Sequence, residues 1–510
     1  MTFFRTSDAA QSTPPVPEPG GEPPAAGRLL GRAAATAILL ALAIMIIAGL
    51  LRADWMPPVL KMPVPGPPWE LNVHVSARLI VAVLWFSAPL AAIGVGAALV
   101  AVRRGQAVPL RALLVAAAIA AIVMTVLPPF GSTDPLDYAV YGHIAALGHS
   151  PYVMTPLDYR QLTHAVGVPV DWQKDPSVYG PLATAEQYLA AKLGGASLVR
   201  TAFWLKLVNL IGFAAIAYVA DRLLRRNPAA RTRAHVLWTV NPLVLWAAIA
   251  GGHVEFFAAV LGVAGVLIVD RRLFSRPVLN AVVAGICVGA ATDIVATFAL
   301  FGLAIAWSMR RAPGQVLAAA AGALVVLVPS YAWAGVPAIK ALTARAQTGE
   351  GWGYWGFIFH HLGIPLHYAV PAAVILLVPV ALLALTRVPQ GLDDREAARA
   401  ALALSLAWLL VWPHQYAWYS LMVFCVLIFF PASRLDWLAL TWLGVMTYVN
   451  MPGTGIGQTQ RLGHMITHLQ TENLDKIAPL FMLGTLVAMI AWCLSRQWSV
   501  SSATTKPLSP

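Results

Sequence analysis

Charge is scarce in this 510-residue chain: Asp, Glu, Lys and Arg together make up 11%. A soluble globular chain carries about 25%. With 59% hydrophobic residues and a mean hydropathy of +0.71, so little charge excludes a disordered chain and an ordinary soluble enzyme. Cysteine is almost missing too. Cys287, Cys425 and Cys493 each lie in an apolar run, so neither a disulfide framework nor a zinc spacing is present. There is no Walker A sequence, no GxGxxG opening a soluble domain, no HExxH and no metal-spaced Cys/His set. Nothing would hold a nucleotide on the cytoplasmic side, so any activated donor has to arrive through the membrane. No cofactor and no metal are implied.

What is there is apolar sequence in long continuous runs. They fall at about 31–51, 79–102, 112–129, 201–220, 235–250, 254–270, 278–292, 294–308, 316–334, 369–386, 397–412, 417–431, 435–450 and 477–495. A spanning helix needs about 20 apolar residues, and the runs do not alternate as transmembrane strands do. The expected fold is an all-α polytopic membrane protein with about 12–14 transmembrane helices. Residues 1–30, rich in Pro, Gly and Ala, read as a disordered cytoplasmic tail, 31–495 as one membrane domain and 496–510 as a second cytoplasmic tail. Arg28 and Arg32 introduce a full-length span, which reads as an uncleaved anchor.

The links alternate in character. Those at 103–111, 221–233, 270–276, 310–311, 387–399 and 433–436, with both termini, carry 22 of the 34 Lys and Arg residues. The positive-inside rule makes this set cytoplasmic. It also accounts for most of the +12 net charge without a nucleic-acid partner. The opposite, extracytoplasmic links, above all 130–200, 335–368 and 451–476, hold Trp, Tyr, His, Asp and Pro clusters instead. A loop of the length of 130–200 is too long for a bare connection.

Five segments could carry chemistry. In GSTDPLDYAVYGHIAALGHSPY (131–152), Asp134 before Pro135 suits an N-cap with Pro at the first helical position. The spacing predicts a helix over 136–147 with Asp134, Asp137, Tyr138 and Tyr141 on one side and Ile144, Ala145 and Leu147 toward the bilayer. Asp134 either caps that helix or acts in a site, and acids where a span leaves the membrane tend to be functional. DPSVYGPL (175–182) places Tyr179 on a turn. WTVNPLVLWAAIAGGHVEFFAAVL (238–261) brings His253 and Glu255 to a Gly251-Gly252 hairpin, which could equally be a solvated turn. EGWGYWGFIFHH (350–361) and WPHQYAWYSLM (412–422) supply aromatics, with Trp418 and Tyr419 in the second, and an interfacial aromatic belt is the plain alternative; His414, Gln415 and Tyr416, directly between two spans, are less readily explained that way. Lys206, near the outer end of its helix, can snorkel or meet a lipid phosphate.

Ser132-x-Asp134-x-x-x-Tyr138-x-x-x-Gly142, Gly148-x-x-Pro151-Tyr152 and Tyr179-Gly180-Pro181-Leu182 resemble the first outer loop of the polyprenyl-phosphate-mannose-dependent α-1,6-mannosyltransferases of the GT-C superfamily. Asn241-Pro242, Gly251-Gly252-His253 and Ala417-Trp418-Tyr419 continue the likeness. Val254-Glu255 stands where the family often has Asn-Asp, and Ala417 where it has Pro before Trp-Tyr. The resemblance implies a GT-C-type helical bundle with a large catalytic first loop. It implies inverting transfer of a sugar, mannose first, from a polyprenyl-phosphate donor to a glycan or glycolipid hydroxyl outside the membrane. Asp134 is then the general base. Asp137, Tyr138, Tyr141, Tyr179, Lys206, His253, Glu255, His414, Trp418 and Tyr419 are the substrate-binding candidates. Partners are the lipid-linked donor, the acceptor and membrane lipids. An arabinofuranosyl or glucosyl donor stays open. The rival is a transporter or flippase of lipid-linked glycans. Transporters concentrate polar groups at the bilayer midplane, often with paired broken helices, whereas here they lie at outer helix ends.

Overall fold

Apolar run after apolar run becomes helix. The computed structural model describes residues 25–53, 66–69, 71–165, 168–169, 172–347, 353–390, 396–413, 415–451, 468–469 and 476–501. Among the described residues seven helices are long and apolar enough to cross a membrane: Leu29–Leu50, Arg78–Arg103, Leu198–Leu224, Pro277–Ile294, Pro313–Ala334, Leu366–Leu385 and Ala478–Ser495. Pro242–Ala250 and Glu255–Arg271 form a further pair bent by 113° at the Gly-Gly-His turn, and Leu110–Val126, Ala296–Ser308 and Ala417–Leu427 are shorter apolar helices. Helices Glu396–Val411 and Leu435–Asn450 occupy the remaining runs. The chain is an all-α polytopic membrane protein; apart from helix, the described residues hold one small parallel ladder, Leu51–Ala53 with Leu71–Val75.

Helix starts follow local chemistry. Pro fills the first turn of the helices that begin at 181, 228, 242, 277 and 313, where its missing N–H is harmless. Asn227 and Asn241 accept the first free N–H groups of the helices they precede. Ile375, Val325 and Leu317 stay exposed on Ala369–Leu385 and Pro313–Ala334. On a membrane protein such faces meet lipid tails rather than water.

Two charges are buried on the side of the basic links. Arg233 donates through Nε to Asp436 Oδ2 at 2.8 Å, through Nη2 to Asp436 Oδ1, and through Nη1 to the Phe430 carbonyl at 2.6 Å. The pair joins Pro228–Leu237 to the start of Leu435–Asn450.

The 130–200 stretch is a small helical layer, Asp134–Ala146, Pro156–Thr163 and Pro181–Gly194, not an open loop. Leu136, Val140, Ile144 and Tyr159 pack into their own apolar cluster against Leu198 and Ala202. His143 ties it together, with Nε2 3.0 Å from Thr201 Oγ1 and Nδ1 3.2 Å from the Tyr159 hydroxyl. Ile144 is therefore interior, not bilayer-facing, while Leu147 is exposed. The 335–368 link holds helices Val336–Gln347 and Tyr354–Leu362. Most of 451–476, and residues 1–24 and 502–510 of the two expected tails, lie outside the described residues; helix begins at Ala25 and runs on to Ser501.

Candidate active site

The Ser-Thr-Asp-Pro junction starts its helix one residue earlier than an Asp134 cap requires. Thr133 holds the cap position and Asp134 is the first residue of Asp134–Ala146. The Asp134 N–H donates to Ser132 Oγ at 3.1 Å. The carboxylate is thus released from capping, which corrects the N-cap expectation, and it turns into a cavity of about 350 Å³.

Asp137, Tyr138 and Tyr141 from the same helix also line the cavity, as the three- and four-residue spacing requires. Tyr179, Glu255, Trp418 and Tyr419 complete the expected lining. The Tyr138 hydroxyl lies 3.5 Å from Asp134 Oδ2 and 3.0 Å from the Tyr179 hydroxyl, and the two rings meet edge to face at 5.1 Å. With Tyr138 donating to Asp134, Tyr179 donates to Tyr138. Burial first, and then the neighbouring phenol and acids, push both phenols well above their usual range. They are neutral hydroxyls near neutral pH and serve as donors, not bases. Tyr141 donates to the Asp175 carbonyl at 3.0 Å. Glu255 opens helix Glu255–Arg271 and is buried; its Oε2 has no hydrogen-bond partner among the described residues.

His253 stands behind Asp134 and does not line this cavity. Its Nδ1 is 3.3 Å from Asp134 Oδ2. The ring stacks on Trp418 at 3.7 Å and 13°, and Trp418 stacks on Tyr416 at 4.5 Å and 3°. Asn209 Nδ2 holds the His253 carbonyl at 2.9 Å. Gly252 makes the approach possible: its φ is +63°, and a Cβ there would meet Pro135 Cγ at 2.7 Å. His253 is thus placed against the Asp134 carboxylate rather than on the cavity wall expected of a substrate contact.

Lys206 is placed differently from the expectation. It is fully buried, so it does not snorkel, and it does not line the cavity. Its Nζ donates to the carbonyls of Met124, Leu127 at 2.9 Å and Pro128 at 3.5 Å. These are carbonyls at the open end of Leu110–Val126, where no intrahelical donor remains. The ammonium caps that end from another helix, away from the cavity where a donor phosphate was expected to meet it. Lys206→Met is accordingly expected to lower stability by about 1.5–3 kcal/mol, the range for hydrogen bonds to a charged group. Thermal unfolding in detergent measures it, and a melting temperature equal to the parent's would remove the capping role.

His414 lies outside the described residues. Tyr416, which stands out in the sequence with His414 and Gln415, lines the cavity, and so do Trp172, Asp175, Trp408 and Trp412, which do not stand out. Trp412 belongs to the WPHQYAWYSLM segment and Asp175 opens DPSVYGPL, so their segments are distinctive and the positions themselves are not. Ala341 and Leu342, from the helix after Pro313–Ala334, close one side. Gly180 seats the Tyr179 turn on the end of Pro277–Ile294: a Cβ there would fall 1.5 Å from the Asp293 carbonyl oxygen. The described lining has four acids and no Lys, Arg or His, and no described cluster of three His, Cys, Asp or Glu is placed to hold a metal. Carboxylates and phenols among indoles suit a polyhydroxylated ring, with hydroxyls donating to acids and C–H faces lying on aromatics.

The family model described as "MptA_B family, Alpha-(1->6)-mannopyranosyltransferase, N-terminal domain" matches residues 31–311, more than half of the chain. A probable alpha-(1->6)-mannopyranosyltransferase of Mycolicibacterium smegmatis is 33% identical over 146 residues, 28% of this chain and 26% of the relative. An alpha-(1->6)-mannopyranosyltransferase of Mycobacterium tuberculosis is 31% identical over 152 residues, 29% and 26%. Alpha-(1->6)-mannopyranosyltransferase B of Corynebacterium glutamicum is 27% identical over 139 residues, 27% and 23%. The alignments span about a quarter of these relatives' own length.

Proposed function

The chain belongs to the MptA_B family of alpha-(1->6)-mannopyranosyltransferases, and from that premise we propose that it is a membrane mannosyltransferase using a polyprenyl-phosphate donor. The sugar passes with inversion to a hydroxyl of a glycan or glycolipid on the extracytoplasmic face. The observation that carries the reading is the Asp134 carboxylate, set in an aromatic cavity and held between Tyr138 and His253.

The chemistry needs little more. The acceptor hydroxyl gives its proton to Asp134 as its oxygen bonds to C1 of the sugar. The C1–O bond to phosphate breaks on the opposite side, and polyprenyl phosphate leaves with the electron pair. A positioned general base supplies about 10²–10⁴-fold, and holding donor and acceptor in line supplies more. Tyr138 and Tyr179, being neutral, donate rather than take that proton, and Asp134, between Tyr138 and His253, is the acid placed to accept it. Glu255 and Asp137 accept hydrogen bonds from sugar hydroxyls, and Tyr416 and Tyr419 form the aromatic wall, backed by Trp418, whose two faces are taken by His253 and Tyr416.

The direct test uses purified protein in lipid with labelled polyprenyl-phosphate mannose and a mannoside acceptor. The expected result is covalent transfer of label; movement of label across the bilayer without transfer would make the protein a carrier. Arabinofuranosyl and glucosyl donors in the same assay should compete poorly. The sidedness follows from the alternation of basic links. With the three cysteines replaced, Lys174→Cys should react with an impermeant thiol reagent on intact cells and Asn227→Cys should not; both positions are exposed. The opposite labelling pattern would invert the orientation.

A further inference from the structure

On the side of the basic links lies a second cavity of about 910 Å³, whose described lining comes from the links around 270–277 and 308–315 together with Gln390, Glu396 and Arg399. We propose that it is a binding site for a phosphate-bearing headgroup, filled in the membrane by an anionic phospholipid.

Its charges divide into spent and unspent. Both oxygens of Asp270 are used on the first amides of the neighbouring helix, Ala397 N at 3.0 Å and Ala398 N at 2.9 Å. Glu396 is paired with Arg310, Nη1 to Oε2 at 2.8 Å. Arg399 Nη2 reaches the carbonyls of Leu385 and Val388, both at 3.4 Å. Arg272 and Arg311 line the cavity with no charged partner among the described residues. Among the described lining residues three arginines, Arg272, Arg311 and Arg399, stand against two acids that are both already engaged, so the described lining is cationic. Arg272 is also a left-handed residue, φ 49° and ψ 57°, at the helix end where glycine is usual. Two guanidiniums in a polar cavity match phosphate oxygens, which a planar fork binds in pairs.

A lipid is favoured over free phosphate by what lies alongside. Phe274 and Pro277 are part of the lining, and Leu273 and Val278 next to them are more than half exposed. Apolar side chains at the rim of a cationic cavity provide for an acyl chain and a phosphate together. Basic pockets between transmembrane helices recognise anionic headgroups by this combination. The proposal does not rest on the transferase reading, and its test needs no sugar transfer.

Full-length protein is reconstituted into phosphatidylcholine nanodiscs carrying a minor fraction of phosphatidylglycerol, and the anionic lipid retained after re-extraction is counted by native mass spectrometry. The expected result is retention by the parent that falls about fivefold for each charge removed in Arg272→Gln and Arg311→Gln, with melting unchanged. Arg225→Gln with Arg226→Gln, exposed on the same side but outside the cavity, should retain as the parent does. Equal loss in that control would mean diffuse surface charge and would overturn the site. Full retention in the Arg272→Gln, Arg311→Gln double variant would overturn it as well. Displacement of the lipid by soluble glycerol phosphate at matching concentration would identify free phosphate as the ligand and overturn the lipid assignment.

Discussion

Asp134→Asn is expected to reduce sugar transfer by at least about 10²-fold, the lower bound for a lost general base, with expression and melting close to the parent's. The two halves of that result have separate causes. Asparagine keeps the volume and one acceptor oxygen, so Tyr138 and the helix start are little disturbed; the cap position belongs to Thr133 in any case. An amide takes up no proton at neutral pH, so the step that needs a base fails. The loss should appear in kcat more than in KM, because Asn still fills the cavity. Asp137→Asn, which removes one hydroxyl-binding oxygen from a side chain given no proton to take, should be milder. Near-normal turnover in Asp134→Asn would move the base elsewhere, with Glu255 next in line, since it is buried in the same cavity with an unpartnered oxygen.

Asp436→Ala is expected to destabilise the protein by about 3–5 kcal/mol, the penalty for removing one member of a buried ion pair. Asp436 is fully buried and Arg233 nearly so, with the guanidinium held by both carboxylate oxygens. Alanine leaves that guanidinium inside with carbonyl partners only. Replacing both residues, as Arg233→Met with Asp436→Leu, removes the stranded charge and should regain much of the loss. Thermal unfolding in detergent compares the three forms. A single variant that melts like the parent, or a double variant worse than the single, would show that the pair is not held as described.

The bundle was legible because hydropathy reads length directly: a run such as 316–334 has no other stable state than a helix. The first-loop helix was legible for a related reason, since Asp134, Tyr138 and Tyr141 repeat at the helical period. What misled was long range. A lysine near a helix end ordinarily reaches for water, so Lys206 read as a snorkelling cation; its actual partners are carbonyls about 80 residues earlier, and no local pattern announces them. His253 was nominated as a substrate contact, and only the stacking of Trp418 and the approach of Pro135 over Gly252 show that it lies behind the carboxylate. Asp175 and Trp412 do not stand out in the sequence because aromatics and acids at a membrane surface have an ordinary explanation. Shared enclosure of one cavity, a property of the folded chain, is what singles them out.

The lysine that closes the end of Leu110–Val126 bears on how the protein is made. Leu198–Leu224 must enter the bilayer carrying a positive charge whose partners belong to a segment synthesised much earlier. A charged residue opposes insertion by about 2.5–3.5 kcal/mol at a helix centre and by less toward the ends, where Lys206 sits. An earlier helix already beside the insertion site offsets that cost, so these two segments are expected to leave the translocon as a pair. An arrest of synthesis shortly after residue 224 should capture them cross-linked, and Lys206→Met should release the later helix from that dependence.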